Sequence, residues 1–310
     1  MRKLAPSVFL FVIAFYPFAS VSAYNEAGHM VSGYITYTVL ESESPEVLRE
    51  IVRILKKHPE YHNWKGRLEE LPLDDRDSYL LMLAARWPDD IRSKKKYTHP
   101  EWHYVDFPWR PKSQPESLAL SEPKEENALS ALKLNIEIAT GNNADWEKAI
   151  ALCWVFHLVG DIHQPLHTIS VYSQEQPSGD AGGTRVHIKP SHEDSPITLH
   201  FYWDDLILFN DCYDMARSRA KALLHRAEYA REKLTATANV NYESWAKESY
   251  ELAKSAVYLE GNLRVGSKPE EASILPDGYA KKAKQCGERQ IVLASYRLAD
   301  LLKKIISDAP

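Results

Sequence analysis

The sequence predicts an all-α chain, a single multi-helix domain with at most a small β-hairpin. Three observations lead there. Most segments space their apolar residues three and four apart, and alternating stretches are scarce. The 310 residues are 44% hydrophobic and 26% charged, enough apolar material for one large core. No internal repeat or low-complexity tract divides them.

Taken in order, residues 1–23 read as a secretory leader. Arg2 and Lys3 open it, Val8 to Phe18 is apolar, and Val21-Ser22-Ala23 is a small-residue cleavage site. Pro17 interrupts the run and keeps it short of the roughly 20 apolar residues that a bilayer span needs. The expectation is a single domain over residues 24–310, starting at Tyr24, in a secreted or periplasmic compartment. Helical spacing then covers Val31 to Leu40, Pro45 to Leu55, Asn127 to Thr140, Trp146 to Val159, Tyr213 to Thr235, Tyr242 to Tyr258 and Tyr279 to Ile306. Breaks fall at Lys57 to Leu73, at Tyr97 to Pro123 and at Ser173 to Pro196. Thr184 to Ile188 with Ile197 to His200 is the one hairpin candidate.

A net charge of −5 argues against a protein that holds nucleic acid chiefly through a basic surface. Bound metal ions could supply positive charge locally. The three cysteines allow one disulfide, with Cys212 and Cys286 the preferred pair, because Cys153 sits in an apolar run beside Trp154.

The chemistry concentrates in the run from Phe156 to His167. His157 and Asp161 are four apart and share a helix face, as two ligands of one metal must. Pro165 ends that helix and turns His167 elsewhere. A lone pair of this kind is ordinarily a buried histidine bonded to an aspartate. A second copy, His200 and Asp204, is harder to dismiss. Asp89 beside Trp87, His103 beside Trp102, and His29 near the mature start complete the set. Imidazole and carboxylate without thiolate suits catalytic zinc with open positions. His58, His62, His99, His192 and His225 read as solvated, while His163 and His187 are ambiguous.

The set Gly28-His29, Trp87-x-Asp89-x-x-Arg92, His103-Tyr104-Val105-Asp106, His157-x-x-x-Asp161-x-x-Gln164-Pro165-Leu166-His167, Gly182-Gly183 and His200-x-x-x-Asp204 resembles the single-strand-specific zinc nucleases of fungi and plants. These are also called nuclease type I or 3′-nucleotidases, and they are distant relatives of bacterial zinc phospholipase C. Near the end, Tyr296-Arg297-Leu298-Ala299 resembles the closing helix of that family. The resemblance implies the helical fold of the phospholipase C and single-strand nuclease type, with three zinc ions at the base of a cleft. It places Asp89, His103, His157 and Asp161 on the first ion and His167, His200 and Asp204 on the second. His29, bridging Asp161 and the amino nitrogen and carbonyl of Tyr24 fall on the third. It further implies hydrolysis of single-stranded DNA and RNA to 5′-phosphorylated products, with hydroxide between two ions as nucleophile. Substrate would be a single strand or nucleotide, acted on by a monomer with neither membrane nor stable protein partner.

The remaining roles have plain readings beside the functional ones. Arg92 either pairs with a phosphate oxygen or is a surface residue beside Lys94 and Lys96. Tyr104 and Asp106 either stack on and hydrogen-bond an unpaired base or simply pack. Two departures stand out: Tyr24 replaces the usual Trp, and Thr184 replaces an Asn that reads the base in the family. A phospholipase C is the nearest alternative, but such enzymes carry Glu where Asp204 stands. A non-catalytic metal-binding protein is the other, and the intact ligand set opposes it.

Overall fold

The computed structural model describes residues 25–94 and 96–309. The leader and Tyr24 lie outside the described residues.

Ten α-helices and five short strands are found among the described residues. α1 (Glu26–Glu43) starts at Asn25, whose side chain accepts from the Gly28 amide, and is buried along nearly its whole length. α2 (Pro45–Leu55) follows at once, with proline in its first turn. The stretch read as a break instead holds α3 (Tyr61–Glu69). Only Trp64 and Leu68 of α3 are buried, so four-residue spacing of two side chains is its whole apolar face.

α4 (Leu73–Asp90) was not foreseen either. Ser78 to Asp89 is buried on every side, so the helix shows no contrast between faces, and Pro72 stands where a capping residue belongs. α5 (Ala128–Thr140) carries a capping box from Asn127 and Ser130, and α6 (Asp145–Asp161) returns against it. α1 packs on α4, α6 packs on both α4 and α5, and the terminal helix α10 (Tyr279–Asp308) closes over α1 and α6.

The helix expected over Tyr213 to Thr235 ends early. α8 (Tyr213–Leu224) stops where the His225 ring bonds back to the Lys221 carbonyl oxygen, and Arg226 leaves the axis to reach Glu288. Short 3-10 turns follow. α9 (Tyr242–Leu252) runs into a π-turn over Ala253–Val257.

β1 (Phe107–Trp109) pairs parallel with β2 (Ile169–Val171) and ties the chain after His103 to the chain after His167. The expected hairpin is β3 (His187–Lys189) with β4 (Ile197–Thr198), antiparallel, and β5 (Ser273–Ile274) adds to β3 in parallel. Leu199 and His200 already belong to α7 (Leu199–Asp204). No described helix is long and apolar enough to cross a membrane.

The expected disulfide is not formed. Cys212 is exposed at the start of α8, whereas Cys286 lies on α10, partly buried against the cluster that contains Trp203 and Tyr279. Cys153 is buried in the core as expected. His62, His192 and His225 are exposed. His58 and His99 depart from the solvated reading: His58 is buried against Trp64 and Trp87, and His99 stacks on Trp102.

Candidate metal centre and cleft

Six elements bring the floor of the cleft together. α1 supplies His29, the end of α4 supplies Asp89, and the 3-10 turn Pro100–His103 supplies His103. The end of α6 supplies His157 and Asp161. A second 3-10 turn, Pro165–Thr168, carries His167, and α7 carries His200 and Asp204. All eight side chains are buried.

Their nitrogens and oxygens converge. Asp161 Oδ2 lies 3.2 Å from His157 Nε2 and 3.3 Å from His103 Nδ1, and Asp161 Oδ1 lies 3.3 Å from His29 Nε2. Asp89 Oδ1 stands 3.6 Å from His157 Nε2, and the His29 ring stacks on His157 at 3.8 Å between centroids. Gly160 permits that approach, since a Cβ there would come within 3.0 Å of His29 Nδ1. Three groups could each hold a metal ion: His29 with His157 and Asp161, Asp89 with His103 and His157, and His167 with His200 and Asp204.

Hydrogen bonds set the tautomers. His157 Nδ1 donates to the Ala85 carbonyl oxygen at 2.9 Å, His167 Nδ1 to that of His103 at 2.7 Å, and His200 Nδ1 to that of Gly182 at 2.7 Å. In its neutral form each ring then turns a bare Nε2 lone pair inward. Gly182 can present its carbonyl because it adopts φ +61°, and a Cβ there would strike the Leu166 carbonyl oxygen. Gln164 Nε2 donates to Asp204 Oδ1 at 2.7 Å, while Gln164 Oε1 accepts from the Leu166 amide.

Nε2 of His167 and of His200 is buried without a hydrogen-bond partner among the described residues, and the buried Asp161 carboxylate is met by the ring nitrogens of His29, His103 and His157. Gathering lone pairs and carboxylates in this way is costly unless cations sit among them. The donor set of imidazole and carboxylate therefore fits zinc.

Burial and neighbouring charge move these groups in different directions. Burial pushes the Asp161 carboxyl up, but the charge of His157 and bonds from His103, His157 and His29 outweigh it and hold Asp161 well below the ordinary carboxylate range. Burial pulls His103 down to about 4. It works the same way on His167, yet Asp204 and Asp161 win and raise that ring to about 9.

Above the floor opens a cleft of about 650 Å³, lined by Arg92, His103, Tyr104, Asp106, His167, Thr184, Arg185 and His200 among others. Arg92 is half-buried there, with Nη2 2.7 Å from Asp89 Oδ1 and 3.2 Å from His103 Nδ1. Tyr104 OH donates to Glu101, and burial lifts the Asp106 carboxyl to about 6. Thr184 Oγ1 donates to the Asp180 carbonyl oxygen.

Of the two ambiguous histidines, His163 is buried but faces Arg297, and His187 sits half-buried on β3. Sequence reasoning missed the orienting bond from Gln164 and the place of Arg185 on the cleft wall. Gln164 had a local signal, three residues beyond Asp161 on the turn after α6; Arg185 had none.

Comparisons with known proteins point to one family. A family model described as S1/P1 Nuclease matches residues 24–307. The chain is 25% identical over 256 residues to Nuclease S1 of Aspergillus oryzae, covering 76% of this chain and 82% of the relative. It is 23% identical over 307 residues to Endonuclease 3 of Arabidopsis thaliana, covering 92% and 89%.

Proposed function

The chain belongs to the S1/P1 nuclease family, and from that premise we propose a secreted or periplasmic, zinc-dependent endonuclease that cuts single-stranded DNA and RNA to 5′-phosphorylated products and also acts as a 3′-nucleotidase. The observation that carries the reading is the meeting of three buried His and Asp groups beneath a cleft walled by Arg92, Tyr104 and Asp106. Asp89, His103, His157 and Asp161 hold one zinc, and His167, His200 and Asp204 a second. His29 and Asp161 would hold a third, together with the backbone of Tyr24 once residues 1–23 are removed, and the single domain over 24–310 would act as a monomer.

Bound zinc supplies Lewis acidity and an activated water at neutral pH. The chain does the rest. Asp161 reaches two of the groups at once, so its carboxylate fixes their spacing. Gln164 holds Asp204 in its rotamer. Arg92 offers its fork of donors to a non-bridging phosphate oxygen. Tyr104 stacks on an unpaired base, Asp106 accepts from the edge of that base, and Thr184 adds one hydroxyl. A base held in a duplex cannot enter between them.

The test is zinc content of the processed protein together with hydrolysis of single-stranded DNA, RNA, duplex DNA and phosphatidylcholine. Zinc-loaded protein that cuts the single strands and spares duplex supports the proposal. Lipid cleavage with inert nucleic acid, or protein that takes up no zinc, overturns it.

A further inference from the structure

We infer that Arg185 forms a second phosphate subsite on the cleft wall, which grips the backbone of a single strand next to the phosphate being cut. This deepens the nuclease reading and rests on it.

The argument begins with charge. The chain itself carries −5, so beyond the metal floor a polyanionic strand depends on the few cations that the cleft wall presents. Among the described residues three line it: Arg92, Lys124 and Arg185. Arg92 is paired with Asp89 at 2.7 Å, and Lys124 with Glu101 at 2.9 Å. Arg185 makes no ion pair with any carboxylate among the described residues. Its guanidinium is tethered only by Nη1, which donates to the Gly179 carbonyl oxygen at 2.8 Å and more distantly to that of Ser178. Asp106 feels the charge without contact at ion-pair distance.

Its position is also fixed in advance. The Arg185 amide donates to the Asp180 carbonyl oxygen, and Gln176 Nε2 donates to the Arg185 carbonyl oxygen. The Asp180 side chain beneath is buried, accepting from Tyr258 OH and the Val171 amide. A guanidinium held at one corner on a rigid turn loses little freedom when its other donors close on a phosphate. A guanine edge can accept from a guanidinium but leaves its charge uncompensated, whereas a phosphate accepts and neutralises it together.

The experiment compares the zinc-loaded wild type with R185Q, R185K and K124Q on a short single-stranded oligonucleotide and on bis(p-nitrophenyl) phosphate, over a range of salt. For R185Q the KM on the oligonucleotide rises about five- to tenfold at low salt. Its log KM against log salt becomes shallower by about 0.7, the share of one single-strand phosphate contact. KM on the small diester moves less than twofold. R185K restores the salt slope, and K124Q shows a smaller change because Glu101 already neutralises that amine.

An R185Q slope equal to wild type, or KM rising equally on both substrates, overturns the subsite while the nuclease reading stands. A wild type that leaves the oligonucleotide intact overturns both.

Discussion

The cleft floor and the aromatic corner around His58 both bury histidines, and the two regions use them in opposite ways. On the floor, His157, His167 and His200 tie Nδ1 to backbone carbonyls and turn Nε2 toward carboxylates. At the corner, His58 is 3% exposed, accepts the Glu60 amide at Nδ1, and lies flat on Trp64 with its edge toward Trp87. His163 makes the contrast sharper. It is two residues from Asp161, yet its Nε2 accepts from Arg297 and its Nδ1 donates to the Val159 carbonyl oxygen. Neither burial nor nearness in sequence marks a metal ligand. What the second ring nitrogen faces does.

Breaking the floor produces the largest effect. Asp161→Asn removes the carboxylate that touches two groups, and activity falls on the order of 10³-fold or more with a loss of bound zinc. Kinetics paired with metal analysis checks this, and near-normal turnover with full zinc removes the shared role of Asp161. Gln164→Ala is milder, because it removes no ligand but only the bond that steadies Asp204 and the one that accepts the Leu166 amide at the head of the His167 turn. Zinc affinity falls by about 10- to 100-fold, as for other residues that hold a ligand from behind. A competitive chelator titration measures it. An unchanged affinity means that Asp204 holds its rotamer without help.

The rim of the cleft is expected to matter less than its floor. Tyr104→Ala removes a stacking surface worth about 1 to 3 kcal/mol per base. KM for oligonucleotides therefore rises by about tenfold, within the span that this energy allows, and the small diester is far less affected. Equal effects on both substrates remove the stacking role.

Sequence reached the floor because helical spacing made it local: His157 with Asp161 and His200 with Asp204 are each one turn apart, and α6 carries the first pair as expected, while α7 carries the second where the sequence suggested a strand ending at His200. It did not reach α4, although Asp89 sits at its end. Leu80 to Ala85 is buried all round, so the periodicity that reveals a surface helix is missing. His58 was misplaced for a related reason. Charged neighbours surround it in sequence, while the rings that bury it come from α3 and from α4, which spacing had not revealed. Arg185 lay beyond reach too, because its value depends on which cations are paired across the cleft, a long-range fact.

The corner yields the smallest effect on catalysis and the clearest one on stability. Burial pulls the His58 pKa down to about 4, against about 6.5 in an unfolded chain. The unfolded state therefore binds the extra proton first. The contribution of neutral His58 is complete above about pH 6.5 and is lost as pH falls toward 4, amounting to about 3 kcal/mol. His58→Leu abolishes this titration. It also loses the Glu60 bond and the stacking, which shifts stability by an amount independent of pH. The informative quantity is therefore the slope. Denaturant unfolding of both proteins between about pH 7 and about pH 4.5 gives a wild-type curve that falls more steeply with acid than that of the variant. Because His58 touches none of the floor, activity per folded molecule at neutral pH stays within about twofold, the range of surface-like changes. Parallel curves would show that the ring is protonated with little penalty between its tryptophans, and a lost activity would join the corner to the floor.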